Sequence, residues 1–268
     1  MQPAEEEVLV GGVANAGAVV RVGDLVLRPS NPFTPRIHRF LRELRAAGFT
    51  GASLPVGTAA DGREELEFIP GEVPVTPYPD WAQTDDVLAS TSELMRGFHL
   101  TSAGLPAEGE WNTEMADPAA LNAGQVIVCH NDVCLENVVF RQGQAVALLD
   151  FDFAAPGRPL YDLAQFARMC VPVDDPTSAA GLGWQEADKA ARLRVVADAY
   201  GLDDRQRLEF HAVLGATIDR GGEFVLRRVE AGDRNFIQMW EQIGGMERFD
   251  RRRRWWDERA ADFAAALR

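Results

Sequence analysis

Between residues 126 and 162 the chain reads VIVCHNDVCLENVVFRQGQAVALLDFDFAAPGRPLYD, with its polar residues at the ends of three short apolar runs. Val126-Ile127-Val128 leads into His130-Asn131-Asp132. Asn137 stands five residues after Asp132 and opens Val138-Val139-Phe140. Gln142-Gly143-Gln144 predicts a hairpin turn. The run Ala145 to Leu149 then delivers Asp150-Phe151-Asp152. A carboxylate at a strand tip, beside an asparagine and a second carboxylate, suits phosphoryl transfer. One carboxylate orients and deprotonates an acceptor hydroxyl. Asn and Asp oxygens bind hard divalent cations such as Mg²⁺, and such a cation neutralises charge developing on the phosphates. Singly, each residue has a plainer use. A lone strand-end aspartate is more often a turn residue, Asn137 could form a turn, and Asp150 with Asp152 could cap one. The joint pattern is what points to chemistry.

The elements that must position these residues can be read in order. Gly11 to Gly17 is a glycine-rich turn, in which Gly12 and Asn15 could let backbone N–H groups approach a phosphate or could simply turn the chain. It is not a Walker loop, because no G-K-[ST] follows. Val19–Val22 and Leu25–Arg28 are short strands split by Gly23-Asp24. Thr34-Pro35 predicts a helix start with Thr34 as N-cap, running to about Ala47, with Ile37, Phe40, Leu41 and Leu44 on its buried face. Leu54–Gly57 and Glu65–Ile69 predict strands around Asp61-Gly62. Pro70-Gly71 breaks the chain and divides a small β-rich domain, 1–71, from a larger helical one, 72–268. In the second part, helices are predicted over Trp81–His99, from Pro159, over Gln185–Tyr200, over Arg205 to about Val229, over Phe236–Gln242 and over Arg251–Leu267, with a loop at 171–183.

Composition narrows the function classes. No apolar stretch reaches the roughly 18–20 residues of a membrane span, and the early apolar run follows Glu5-Glu6-Glu7, where a secretory signal needs a basic start. A cytoplasmic protein with no membrane partner is expected. Residues 76–219 hold 9 basic and 22 acidic side chains of a chain with net charge −14. That balance disfavours nucleic acid and suits a cationic substrate, or serves only solubility. Cys129, Cys134 and Cys170 are expected to be reduced, partly buried thiols. Trp184, Trp240, Trp255 and Trp256 are candidates for an acceptor pocket, with core filling the commoner fate.

His130-x-Asp132-x4-Asn137 followed by Leu149-Asp150 resembles the signature of the aminoglycoside phosphotransferase family. That family is similar in fold to protein kinases and includes choline, homoserine and fructosamine kinases. Asp162-Leu163-Ala164 matches its later helix start, Glu67-Phe68-Ile69-Pro70-Gly71 looks like its hinge, and Phe98-His99 looks like the end of the first helix after that hinge. The resemblance implies a two-lobed α+β, protein-kinase-like fold with a small β-rich N-lobe and a mainly helical C-lobe. It implies Mg²⁺-dependent transfer of the γ-phosphate of ATP or GTP to a hydroxyl of a small-molecule acceptor. It makes Asp132 the base, His130 a brace for the loop and Asn137 with Asp150 the Mg²⁺ ligands. Backbone groups of Glu67, Phe68 and Ile69 become contacts to the nucleotide base, and Asp162 a structural residue bonding the catalytic loop.

The chain departs from the pattern in its first 71 residues. Protein kinases hold the phosphates with a lysine on the third strand. Here that strand, LVLR, ends in Arg28, and Lys189 is the only lysine in the chain. Arg28 keeps the charge with a different geometry. The usual helix glutamate also has no clear counterpart: Glu43 is the one acid on that helix, and His38 sits closer to the expected position. A nucleotide-binding protein of the same fold without transferase activity is therefore the alternative. A protein kinase is disfavoured, because the roughly ten residues from Asp150 to Asp162 leave no room for an activation loop.

Overall fold

The structure, a computed structural model, describes residues 6–9, 17–123 and 126–268. The glycine-rich turn with Gly12 and Asn15 lies outside the described residues. Strands β1 (Glu7–Val8), β2 (Val20–Val22), β3 (Leu25–Arg28), β4 (Pro55–Thr58) and β5 (Glu64–Glu67) form an antiparallel sheet in the order β1-β2-β3-β5-β4. The β-branched runs form the strands, and Gly23 and Gly62 turn the chain with φ of 61° and 90°. The register of β3 on β5 sets Arg28 directly opposite Glu64.

Helix α1 (Thr34–Ala46) lies between β3 and β4. Thr34 is not its N-cap. Asn31 builds the entry instead: its side-chain oxygen accepts the Phe33 N–H at 2.8 Å, and its own N–H donates to Thr34 Oγ1 at 2.9 Å. The local Asx turn competes with capping for the same hydroxyl and moves the boundary by one residue.

After β5 the chain runs through Pro70-Gly71, and Glu72 exchanges two backbone hydrogen bonds with Phe140, each 2.8 Å. At Gly71 a Cβ would stand 2.4 Å from Val139 Cγ1 and 2.6 Å from Phe140 O, so only glycine permits this approach. Helix α2 (Asp85–Ser102) follows, capped by Thr84, whose Oγ1 accepts the Val87 N–H. Strand β6 (Ile127–Cys129) pairs with β9 (Ala155–Gly157), and β7 (Val138–Arg141) with β8 (Gln144–Leu148). Gln142 and Gly143, both at positive φ, make the predicted tight hairpin turn.

Helix α3 (Pro159–Cys170) leads to α4 (Pro176–Gly181), α5 (Lys189–Tyr200), α6 (Asp204–Thr217), α7 (Arg220–Glu230), α8 (Arg234–Ile243) and α9 (Gly245–Ala266). Three expectations change here. The segment 171–183 holds the short helix α4. The helix expected from Arg205 to Val229 is two helices, α6 and α7, parted at Ile218-Asp219 just before Gly221-Gly222. The last helix begins at Gly245 rather than Arg251. Paired glycines are poor helix formers, and Gly221 and Gly222 each lie against a side chain from another element.

One buried cluster runs through both parts of the chain. Ile37, Phe40, Leu41 and Leu44 of α1 join Phe98, Trp111, Leu148 and Phe166. Phe40 packs edge-on against Phe98 and Trp111, with ring centroids 6.2 and 5.7 Å apart. A satellite cluster of Met115, Phe224, Val225 and Phe236 lies beneath α7 and α8. Trp184 and Trp256 are buried core residues. Among the described residues no helix is long and apolar enough to cross a membrane.

Candidate active site

The apolar run of β6 ends at Cys129, and the next three residues are shaped by one carboxylate. Asp162, on the first turn of α3, is fully buried. Its Oδ2 accepts the His130 N–H at 2.7 Å and its Oδ1 accepts the Asn131 N–H at 2.7 Å. His99 Nε2 lies 2.9 Å from Oδ2, and His99 Nδ1 lies 2.6 Å from the Tyr200 hydroxyl. Burial pushes the Asp162 pKa up, but the His99 hydrogen bond and the amides outweigh it and hold it below the usual carboxylate range. His99, Cys129 and Asp162 stand close enough together to suggest a metal site. The chemistry does not fit: both Asp162 oxygens are taken by donors, and burial raises the Cys129 thiol.

Asn131 adopts φ 65°, a left-handed turn that asparagine tolerates, and swings the chain so that Asp132 faces out of the core. His130 is itself buried. Its Nδ1 accepts the Asp132 N–H at 3.3 Å, so its Nε2 carries the proton and donates to Leu149 O at 2.8 Å. Its ring lies 4.5 Å from that of Phe151. Burial lowers the His130 pKa, so the ring is a neutral strut between the Asp132 loop and the end of β8.

Asp132, Asn137 and Asp150 are brought together. The Asn137 amide NH₂ donates to Asp132 O at 2.9 Å and to Asp132 Oδ2 at 3.2 Å. That orientation leaves the amide oxygen without a donor among the described residues. Asn137 O accepts the Leu149 N–H at 2.8 Å, which ties the loop to the strand carrying Asp150. Asp150 also adopts a left-handed φ, 59°. Half-buried Asp132 is pushed up to about 8 by burial and by the charge of Asp150, against the pull of Arg168 and Asn137. The Asn137 amide oxygen and the Asp150 carboxylate oxygen clear of Arg28 are hard donors of the kind a divalent cation takes.

Arg28 reaches this point from β3. Its Nη1 donates to Asp150 Oδ1 at 2.9 Å, its Nη2 to Asp152 Oδ1, and its Nε to Glu64 Oε1 at 2.5 Å. Burial works against the cation, yet the three carboxylates hold it above its ordinary range. Glu64 is the acid whose absence the sequence suggested. It comes from the neighbouring strand β5, not from α1. Helix α1 contributes His38, whose Nε2 lies 2.6 Å from the other Glu64 oxygen. Glu43 faces elsewhere and pairs with Arg36 at 3.7 Å. Glu64 was missed because it looked like one of several charges in REELEF. Its place opposite Arg28 comes from the β3–β5 register, which the run of charges alone does not display. Burial raises the Asp152 carboxyl and Asp150 raises it further, while Arg28 pulls Asp150 down.

In the Glu67–Ile69 segment three of the six backbone groups are engaged among the described residues. The Glu67 N–H donates to Leu54 O and the Phe68 N–H to Asp24 O, each at 2.9 Å. Glu67 O accepts from Ser53 Oγ. The N–H and carbonyl of Ile69 make no hydrogen bond among the described residues. A cavity of about 460 Å³ is lined by Phe68, Ile69 and Pro70 together with Arg45 and Arg141, and does not include Asp132 or Asp150.

The sequence pattern of the phosphotransferase enzyme family matches residues 113–211. The trifolitoxin immunity protein of Rhizobium leguminosarum bv. trifolii is 33% identical over 209 residues, 76% of this chain and 77% of that protein. The chain belongs to the phosphotransferase enzyme family. Among solved structures it is similar to a choline/ethanolamine kinase family protein from Mesorhizobium loti, with TM-score 0.65, 16% identity and coverage of 100% of this chain and 93% of that one. It is also similar to amicoumacin kinase hAmiN in complex with AMP-PNP, Ca²⁺ and Ami, with TM-score 0.64, 14% identity and coverage of 96% and 90%. The fold is the two-lobed α+β, protein-kinase-like fold, with a small β-rich N-terminal part.

Proposed function

We propose that this phosphotransferase family member transfers the γ-phosphate of ATP or GTP, with Mg²⁺, to a hydroxyl of a small molecule. The observation that carries the reading is the meeting of Asp132, Asn137 and Asp150 at one point, with Arg28 reaching it from the opposite sheet. In this reading residues 1–71 hold the nucleotide, and residues 72–268 hold the metal and acceptor.

Asp132 accepts the proton of the acceptor hydroxyl as that oxygen bonds to phosphorus and the bond from phosphorus to the bridging oxygen breaks, releasing the nucleoside diphosphate. An elevated Asp132 pKa suits a base working near neutral pH. Asn137 holds Asp132 by two hydrogen bonds, and His130 braces the loop without touching substrate. Asn137 and Asp150 would hold Mg²⁺, which would supply charge neutralisation at the phosphates. Arg28 stands in place of the phosphate lysine, oriented by Glu64, and the Phe68 carbonyl with the backbone groups of Ile69 are those left to contact the base. The cytoplasm supplies both nucleotide and Mg²⁺.

The relative named for immunity to trifolitoxin and the neighbour named an amicoumacin kinase support an acceptor of toxic or antibiotic character. The acidity of residues 76–219 supports a cationic group on it. The test is turnover of Mg²⁺–ATP and Mg²⁺–GTP against a panel of amino sugars, choline, hydroxy amino acids and hydroxylated peptides. Phosphate transfer to at least one is expected.

One observation favours a second reading, a nucleotide-binding protein without transfer. Each of the three guanidinium nitrogens of Arg28 already donates to a carboxylate, and these carboxylates compete with phosphate for it. A rise in melting temperature with Mg²⁺–ATP, with no acceptor phosphorylated, would support that reading.

A further inference from the structure

Helices α3 and α9 bury arginines that the chemistry above does not use. Arg252 is 4% exposed, and among the described residues its Nε and Nη2 have no hydrogen-bond partner. Arg248, one turn earlier on α9, donates from Nη2 to Asp174 at 2.6 Å, while its Nε has no partner among the described residues. Arg168 on α3 is 8% exposed, and among the described residues its one hydrogen bond is from Nε to Gln165 Oε1 at 3.3 Å.

The acids nearby do not account for these donors. Asp174 is taken by Arg248. Asp175 accepts from the Ser178 hydroxyl at 2.5 Å and the Ser178 N–H at 3.1 Å, and it faces Arg251 at 3.8 Å. Unpartnered buried guanidinium donors are costly, and native chains keep few of them without a use.

The surroundings make room for the cluster. Arg168 lies on the bare backbone of Gly221, where a Cβ would stand 2.8 Å from Nη1. The ring of Phe249 fills the space beside Gly222, and the Arg252 guanidinium lies 5.0 Å from that ring's centroid. The Gly221-Gly222 pair at the start of α7 thus admits the Arg168 guanidinium and the Phe249 ring against which Arg252 lies. Arg168 also stands within electrostatic reach of Asp132.

We propose that Arg168 and Arg252 form an oxyanion subsite beside Asp132 that binds a carboxylate or phosphate carried by the acceptor. A planar guanidinium offers paired N–H donors that match such a group. Filling the subsite satisfies donors left unpaired and places an acceptor hydroxyl near the base. The acceptor is then a hydroxylated molecule with an anionic group close to the reacting oxygen. A cationic group elsewhere on it remains compatible with the acidic surroundings. The assignment rests on the phosphotransferase reading for the word acceptor, but not for the anion site itself.

The test is melting temperature against succinate and against inorganic phosphate, with chloride at matched ionic strength, for the full-length protein and for Arg252→Gln, Arg168→Gln and Arg28→Gln. A saturable rise with at least one of the two anions is expected in the unaltered protein and in Arg28→Gln. It should weaken tenfold or more in Arg252→Gln and Arg168→Gln. A response to succinate alone identifies a carboxylate as the ligand, and one to phosphate alone identifies a phosphoryl group. If Arg252→Gln does not fold, Arg168→Gln and Gly221→Ala report on the same site from α3 and α7. No response beyond that of chloride overturns the subsite. So does a response that survives in the two arginine variants, or one lost only in Arg28→Gln.

The transfer assay separates the two claims. Anion binding that depends on Arg252, with no acceptor ever phosphorylated, keeps the subsite and overturns the transferase reading. Transfer to anion-free amino sugars as fast as to hydroxy acids, and unchanged in Arg252→Gln, does the reverse.

Discussion

Arg28 is held by Glu64, Asp150 and Asp152 in a geometry a lysine could not reproduce, because an ammonium lacks the fixed fork of donors. Its position at the end of LVLR was legible in the sequence. Its partner was not, because cross-strand register depends on turn lengths and packing that a single chain does not display. Glu64→Gln removes the charge that orients Arg28 while keeping the shape. A fall of roughly tenfold in kcat/KM, about 1.4 kcal/mol, is expected, with the loss carried by nucleotide KM. Steady-state kinetics at varied Mg²⁺–ATP checks it, and unchanged constants would remove Glu64 from the positioning of Arg28. Asp132→Asn removes a carboxylate that burial and Asp150 both disfavour in its ionised form. Loss of transfer without loss of melting temperature at neutral pH is expected. A large drop in melting temperature would instead make Asp132 a structural residue.

At the level of elements, the strand-turn-strand unit carrying Asn137 and Asp150 could be read because its apolar runs are short, β-branched and bounded by Gln142-Gly143. The break between α6 and α7 could not, because no proline marks it and the glycines there answer to Arg168 and Phe249, far away in sequence. Asp162 links α3 to the His130–Asp132 loop, and that link has a pH signature. Its folded-state pKa lies below the ordinary value. The stability it contributes is therefore fully present above about pH 4 and is lost as pH falls through the lower folded value. Asp162→Asn breaks a fully buried pair and should cost about 3 kcal/mol at pH 7, while flattening the decline of melting temperature below about pH 4. Melting curves from pH 7 to pH 3 check both halves. A variant with the same acid slope as the parent would contradict the linkage.

Across the whole molecule, α1 is tied to the helical part by the shared core around Phe40, and the connection at Gly71 is tied by the Glu72–Phe140 bonds. The two parts should unfold together. Phe40→Ala is expected to cost about 3–5 kcal/mol and to shift a single calorimetric transition. Two separated transitions would contradict the continuous core. Such coupling gives a reason for Arg28 and Asp150 to keep their 2.9 Å contact across the cleft between sheet and loop. The acidic middle of the chain could be counted in the sequence, whereas the burial of the arginines on α3 and α9 could not, since only packing shows which arginines lose water. The central claim is that Asp132 serves phosphate transfer. The most direct measurement is single-turnover transfer from γ-labelled Mg²⁺–ATP and Mg²⁺–GTP to the best acceptor of the panel, for the parent and for Asp132→Ala, with nucleotide affinity measured in parallel. Transfer should fall at least a thousandfold, about 4 kcal/mol, with nucleotide affinity within about twofold of the parent. Undiminished transfer in Asp132→Ala would contradict the assignment.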